Sequence, residues 1–544
     1  MTESPKGHFV YDLGQNMVGS VCLCLKGERG QSFRIRYGEM CYGSGQVYVE
    51  NLRTAASTDI YVCKGTGEET FIPEFTFHGF RYVEVSGNGY ELENADGILR
   101  VEGLVLSNVE GLVGDFECSS PLLNRLQKNI QWGQRGNFLL VPTDCPQRNE
   151  RMGWTGDIQV FAPTAGFNMD VQAFLRKWLL DLREAQLLYN RNGAAPDTAP
   201  LGGDNRTDGC GGWGDAAVIV PWELYQEYND VTILSESYDL MRDWVEYQSR
   251  PERETPDGIQ TKQRRGDHLA YDTTTPHELC ATAYAARCAD LLSQTAEILG
   301  KAEDGRKYRA RFEKVSKAFA EKWFSEDGTC QFPTQTAYAL AIDFSLLSER
   351  QMKGAGAGLL NAVKERDYHL SVGFLGISHL LPALTKSGCE EAAARLLLQE
   401  ECPGWLYSVK NGATTIWERW NSYIAETHTF GDVNMNSFNH YAYGAVGEWI
   451  YREILGIRRT APGYDKLVLE PKPLAGLTYA KGYHICGHGK ISSEWNLRDG
   501  KFEYDCEIPE GCEAEIKLPD GSVRKISEEG CYFFTVQMTK DERR

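Results

Sequence analysis

Glu150 sits in the stretch PTDCPQRNERMGWTGD, where Asp144, Glu150 and Asp157 are interleaved with Arg148, Arg151 and Trp154. The flanks, FLLV before it and VFAP after it, favour burial. Charge held beside a core is costly unless it is paired or used. For one such loop alone, a salt-bridged helix connection is the plain reading. Three more loops shift the balance. GWGD with Trp213 and Asp215, GWLY with Trp405, and GATTIWERWNSY with Trp417, Glu418 and Trp420 each set an indole beside a glycine or a carboxylate. Indoles stack on the C–H faces of sugars, while carboxylates and arginines bind hydroxyls. Two carboxylates remote in sequence also supply what glycosidic cleavage requires. One protonates the leaving oxygen; the other activates water or attacks carbon. Trp178, Trp222 and Trp449 lie inside helical stretches and read as core.

These residues need elements to position them. Residues 8 to about 107 read as strands. FRIRY alternates apolar side chains with arginines, and FIPEFTFHGFRYVEV is rich in aromatic and β-branched residues, so a β-sandwich is expected. At Ser119-Ser120-Pro121 the pattern changes to helix, with cap residues, a proline at the first helical position, and Leu122, Leu123, Leu126 and Ile130 at helical spacing. Helical stretches such as DVQAFLRKWLLDLREAQ and HELCATAYAARCADLLSQTAEIL continue to about residue 455, which predicts helical hairpins packed side by side. The opening stretch falls between the first two helical elements, and Asp144, Glu150 and Asp157 are read as one loop. From about Ala461 the chain returns to strands, with a type I′ hairpin turn at Asp499-Gly500 and another turn at Pro519-Asp520-Gly521. The expected division is 1–110 β, 111–458 helical and 459–544 β.

Composition narrows the partners. A chain of 544 residues is too long for one core. Its formal net charge of -19 argues against nucleic acid and anionic membrane, which need a basic face. No apolar run reaches membrane-spanning length, and MTESPKGHFV lacks an apolar leader. Sixteen scattered cysteines in so large a chain read as free thiols, which together with the absent leader gives a cytoplasmic expectation. His484-Ile-Cys486-Gly-His488 has no second ligand cluster, and Gly354-Ala-Gly356-Ala-Gly358 lacks the spacing of a dinucleotide fingerprint. Neither a metal nor a cofactor is expected.

DCPQRNERMGWTGD, GWGDAAVIVPWELY, PGWLYSVKNGATTIWERW and SFNHYAYGAVGEW, together with the upstream YDLGQNMVG, NLRTAASTDIY and FTFHGFRYVEVSG, resemble the bacterial α-L-rhamnosidases of glycoside hydrolase family seventy-eight. The resemblance covers nearly the whole chain. It implies an (α/α)6 toroid flanked by N- and C-terminal β-sandwich domains, acting on terminal α-L-rhamnose of glycosides or oligosaccharides with inversion. Carried over position by position, it implies Glu150 as general acid and Glu418 as general base. It implies sugar contacts from Asp144, Arg148, Trp154, Asp157, Trp213, Asp215, His268, Trp417, Trp420 and His440. Two positions depart from the pattern. Asn149 stands where an aspartate is common, and Gly266-Asp267-His268 stands where Gly-Asp-Trp is expected. Family members usually carry more β domains upstream, so a short or truncated member is expected. A catalytically dead sugar-binding protein and a toroid glycosidase or lyase of other specificity stay open, as does assembly as a homodimer.

Overall fold

The computed structural model describes residues 1–109, 111–188, 192–201, 209–474 and 476–538. The chain forms two compact units: 1–110 with 128–152 and 408–441, and 111–127 with 153–407 and 442–544.

The first unit is built on a seven-stranded antiparallel sheet. Its long strand His8–Lys26 pairs with His78–Gly87 in its first half, and with Ile98–Val105 and Glu68–Phe71 in its second. Ser32–Gly38 extends the sheet on the far side of His78–Gly87. There the alternation in FRIRY comes through: Phe33, Ile35 and Tyr37 are buried while Arg34 and Arg36 are half-buried. Phe33 and Ile35 join Leu23, Leu25, Phe80, Val83 and Val85 in one apolar core. The ladder between the first two strands breaks between Asp12 and Met17, so Leu13 to Asn16 leave the register. Such bulges re-aim side chains.

Helices follow in chain order, among them α1 (Pro121–Asn137), α2 (Thr155–Asn168), α3 (Gln172–Leu188), α4 (Ala216–Tyr228), α5 (Val231–Gln248), α6 (His277–Ile298), α7 (Ala302–Trp323), α8 (Gln335–Asp343), α9 (Glu349–Lys364), α10 (Phe374–Lys386), α11 (Glu390–Leu397) and α12 (Trp405–Lys410). Within the second unit the even-numbered helices α2, α4, α6, α8 and α10 pack neighbour on neighbour. The turn Ala442–Val446 lies against both α10 and α2 and completes a ring of six. The ring helices are buried nearly all round: in α2 every residue except Pro163 is buried, and α8 is buried from Gln335 to Ile342. The odd helices are amphipathic. α7 buries Tyr308, Val315, Phe319 and Trp323 along one face and turns its lysines and Arg306 outward. A helix buried on every side lies in the inner layer, and one buried on a single face lies outside it.

Strand Gly114–Cys118, counted with the helical segment in the sequence reading, is instead the edge of a five-stranded sheet with Tyr479–Cys486, Gly489–Arg498, Lys501–Ile508 and Gly530–Gln537. Its Phe116 and Cys118 alternate inward, a signal too short to outweigh the helix that follows. The turn between Arg498 and Lys501 has Asp499 and Gly500 at φ 50° and 73°, the left-handed pair a type I′ turn requires. This sheet is tied to the ring's end: Trp495 Nε1 donates to the Ile454 carbonyl at 2.9 Å and Ser493 Oγ to that of Leu455 at 2.5 Å. A four-stranded sheet, Ile457–Arg459, Lys466–Leu469, Glu513–Lys517 and Val523–Ile526, completes this end. Among the described residues no helix is long and apolar enough to cross a membrane.

Candidate active site

The candidate residues divide between the two units. Asp144, Arg148, Glu150, Trp417, Glu418, Trp420 and His440 belong to the first; Trp154, Asp157, Trp213, Asp215 and His268 belong to the second.

In the first unit, the loop after α1 closes on itself. Asp144 N–H donates to the Met152 carbonyl at 3.0 Å, and Met152 N–H returns to Asp144 Oδ1 at 3.1 Å. Arg148 lies at its centre with 1% of its side chain exposed. Its Nη1 donates to Glu418 Oε2 at 3.0 Å and its Nη2 to Glu418 Oε1 at 3.2 Å. The same Nη2 lies 2.8 Å from Glu150 Oε2, and Nε donates to that oxygen at 3.1 Å. Asp144 Oδ2 is 3.8 Å away. One guanidinium thus gathers three carboxylates, which no spacing in the sequence announces. Glu150 is the most accessible of them, at 15%, against 2% for Glu418.

Arg151, which flanks Glu150 in sequence, points away. It donates to the Phe77 carbonyl at 3.0 Å and stacks over the Phe77 ring. Its place beside Glu150 is taken by Arg53 of the NLRT stretch, whose Nη1 donates to Glu150 Oε2 at 2.8 Å and whose Nε donates to the Asn434 carbonyl at 3.0 Å. Sequence reasoning missed Arg53; its only signal was its place in a motif shared with the resembled family. Asn149 bonds Thr54 through Nδ2, so this departure from the pattern is absorbed by the same stretch.

Burial, reinforced by Glu150, pushes the Asp144 carboxyl well above the usual carboxylate range. His440 donates its backbone N–H to the Ile416 carbonyl at 2.8 Å. Burial and then Arg148 push its imidazole down to about 3, so it is neutral at working pH. Trp417 and Trp420 are buried, Trp417 edge-on to Phe438 with ring centres 5.4 Å apart. Asp144, Cys145 and Glu150 bring donor atoms close enough together for a metal. The Arg148 guanidinium already neutralises this group, and burial with Asp144 keeps the Cys145 thiol protonated. The donor set therefore suits an arginine better than a metal ion. His484 and His488 pair separately, with Glu227 and Asp465.

In the second unit, Trp154 immediately precedes α2, and Asp157 lies in the first turn of that helix rather than in the loop. The Arg265 guanidinium lies 4.7 Å from the ring centre of Trp154 and 5.1 Å from that of Trp213. Its Nε donates to Asp197 at 3.0 Å, which fixes the cation between the two indoles. Trp213 packs on Gly156, where a Cβ would meet its indole at 2.6 Å, so the glycine is required by this close approach. His268 stands edge-on to Trp213 at 6.3 Å and to Phe374 at 5.1 Å. Its neighbour Asp267 accepts from the backbone N–H groups of Gly373, Leu375 and Gly376, which pins this loop to the N-terminus of α10. Neither Arg265 nor the capping role of Asp267 was foreseen, although both adjoin the motif around His268.

Asp215 departs from its expected role as a sugar contact. It is fully buried and accepts from Gly212 N–H at 2.5 Å, Trp244 Nε1 at 2.8 Å, Gln248 Nε2 at 2.9 Å and Cys288 Sγ at 3.1 Å. With both oxygens occupied, it braces the GWGD turn that carries Trp213.

Three profiles of bacterial α-L-rhamnosidase domains match the chain: a concanavalin-like domain over residues 2–107, a six-hairpin glycosidase domain over 112–454 and a C-terminal domain over 456–533. The chain belongs to the bacterial α-L-rhamnosidase family. An α-L-rhamnosidase of Streptomyces avermitilis is 43% identical over 98% of the chain, and one of Formosa agariphila is 39% identical over 98%. The chain spans about half the length of these relatives, 52% and 58%. The crystal structure of the Streptomyces avermitilis α-L-rhamnosidase complexed with L-rhamnose superposes with a TM-score of 0.92 at 42% identity, covering 98% of this chain and 52% of that one. That of the native Aspergillus terreus enzyme gives a TM-score of 0.92 at 36% identity, covering 98% and 62%. The ring of helices is this rhamnosidase family's six-hairpin domain, set in the chain between N- and C-terminal β domains.

Proposed function

We propose that this chain hydrolyses terminal α-L-rhamnose from rhamnosides with inversion, Glu150 serving as general acid and Glu418 as general base. The observation that carries this reading is the shared grip of Arg148 on both glutamates, which come from opposite ends of the helical segment. Glu150 is the more accessible and is suited to reach a leaving oxygen. Glu418 is buried and oriented. Its Oε2 is held by Arg148 Nη1 and Ser437 N–H, while Oε1 accepts from Arg148 Nη2 alone among the described residues. Oε1 is therefore the oxygen we assign to take the proton of an attacking water. Arg148, Asp144 and the neutral His440 would contact the sugar beside them. The likeness to a relative solved with L-rhamnose supports the choice of sugar. A panel of aryl glycosides tests it: turnover of the α-L-rhamnoside is expected, and turnover confined to another glycoside would overturn the reading.

A further inference from the structure

The motifs YDLGQNMVG and NLRTAASTDIY hold no residue given a catalytic role above, Arg53 being a neighbour of Glu150, yet both reach the segment that carries Glu418. The bulge in His8–Lys26 throws out Gln15 and Asn16. Gln15 Nε2 donates to the Thr414 carbonyl at 2.8 Å, and Asn16 N–H donates to Thr414 Oγ1 at 2.8 Å. Asn16 Nδ2 lies 3.0 Å from Glu39 Oε1, 3.2 Å from Thr415 Oγ1 and 3.3 Å from the Phe438 carbonyl. Glu39 Oε2 accepts from Asn51 Nδ2 at 3.1 Å and from Phe438 N–H at 3.1 Å. Asn51 Nδ2 also donates to the Asn436 carbonyl at 3.0 Å.

The two peptide planes on either side of Ser437 show what this network does. In the plane joining Asn436 to Ser437, Asn51 holds the carbonyl and the Ser437 N–H donates to Glu418 Oε2 at 2.7 Å. In the next plane, Glu39 holds the Phe438 N–H and the Ser437 carbonyl accepts from Glu418 N–H at 2.9 Å. A peptide unit is rigid, so gripping one edge aims the other. Both planes are gripped on one edge by turns of the N-terminal segment, at Glu39 and Asn51, and touch Glu418 on the other.

We propose that Glu39 and Asn51, steadied by Asn16, are positioning residues that aim the Glu418 carboxylate. The proposal rests on the reading of Glu418 as the general base. Glu39 is an expensive way to fill space: it is fully buried, and burial pushes its carboxyl up to about 7 against three donated hydrogen bonds. An apolar side chain would pack there more cheaply but could not hold the Phe438 N–H.

Glu39→Gln brings an amide N–H₂ to a site that already presents donors, and Asn51→Ser loses the reach to Asn436. Each variant should lower kcat on an aryl α-L-rhamnoside about 10- to 100-fold, the scale of a sub-ångström misplacement, while KM stays within about twofold. Circular dichroism and thermal unfolding identify a variant that fails to fold, and Asn51→Ser carries the test if Glu39→Gln does. The decisive readout is a double-mutant cycle. In a Glu418→Gln background, either change should cause no further loss, because the group it aims is gone. Folded single variants with parental kcat, or full losses that persist in the Glu418→Gln background, would overturn the proposal. Parental turnover by Glu418→Gln alone would instead overturn the assignment of the base, and this inference with it.

Discussion

Arg148 grips Glu418 through two nitrogens, at 3.0 and 3.2 Å, with both side chains almost wholly out of water. A buried planar fork of this kind is not replaceable by a point charge. Arg148→Lys should therefore lose most of the activity. Arg148→Met should in addition leave Glu418 buried without its cation, at a cost of about 3–5 kcal/mol. A guanidinium chloride titration measures this, and an unchanged midpoint would show that the pair is not the electrostatic centre of its loop.

The stereochemistry of the product tests the two glutamates together. An inverting pair leaves room for a water, with carboxyl groups about 6.5–9.5 Å apart against roughly 5–5.5 Å for a retaining pair. Proton NMR in the first minutes of hydrolysis should show β-L-rhamnose, with the α anomer appearing later by mutarotation. Glu150→Gln should slow cleavage of substrates with poor leaving groups by about 10²–10⁴-fold without unfolding the protein. Early α anomer would mean a covalent intermediate and exclude both assigned roles.

The cation held between two indoles makes a third expectation. Trp154→Ala and Trp213→Ala should each weaken L-rhamnose binding, with stacking worth roughly 0.5–1.5 kcal/mol beyond area burial. Arg265→Ala should weaken it as well, because that guanidinium orders both rings. Calorimetry reads all three. Parental affinity in all three variants would remove the indoles from the sugar site.

Asp215→Asn separates a brace from a sugar contact. It replaces one of the two acceptor oxygens by an N–H₂, which must face either the Gly212 N–H at Oδ2 or the Trp244 and Gln248 donors at Oδ1, so stability should fall by about 1–3 kcal/mol. KM for the rhamnoside should stay near the parental value at temperatures where the variant is folded. A large rise in KM with unchanged thermal stability would restore Asp215 to the sugar.

His440 makes stability depend on pH in a defined window. Its imidazole is pushed down to about 3 in the folded chain, against an ordinary value near 6.5. Between those values the unfolded chain binds a proton that the folded chain refuses. The contribution of His440 is therefore complete above pH 6.5 and is lost as pH falls toward 3, by up to about 1.4 kcal/mol per unit. Urea midpoints should fall less steeply over pH 6.5 to 4 in His440→Gln than in the parent. Parallel slopes would mean that the imidazole is not held neutral.

Sequence by itself determined the local terms. The alternation in FRIRY set which face of Ser32–Gly38 is buried, and Asp499-Gly500 set a turn, because each depends on residues a few positions apart. The charge of the loop around Glu150 marked it as a place of chemistry for the same local reason. Tertiary structure decided the pairings. Arg148 and Arg151 are equivalent on paper, but chain closure brings Glu418 to the first and Phe77 to the second. Asp215 and Asp144 look alike as loop carboxylates, yet one meets Trp244, Gln248 and Cys288 in the core and the other meets Arg148. Glu39 carried no local signal at all, and Arg53 none beyond its place in NLRTAASTDIY. Hydrogen bonds and ion pairs have a reach of about 3–4 Å. Which partners fall within that reach is set by segments tens to hundreds of residues apart, and no periodicity in the chain records it.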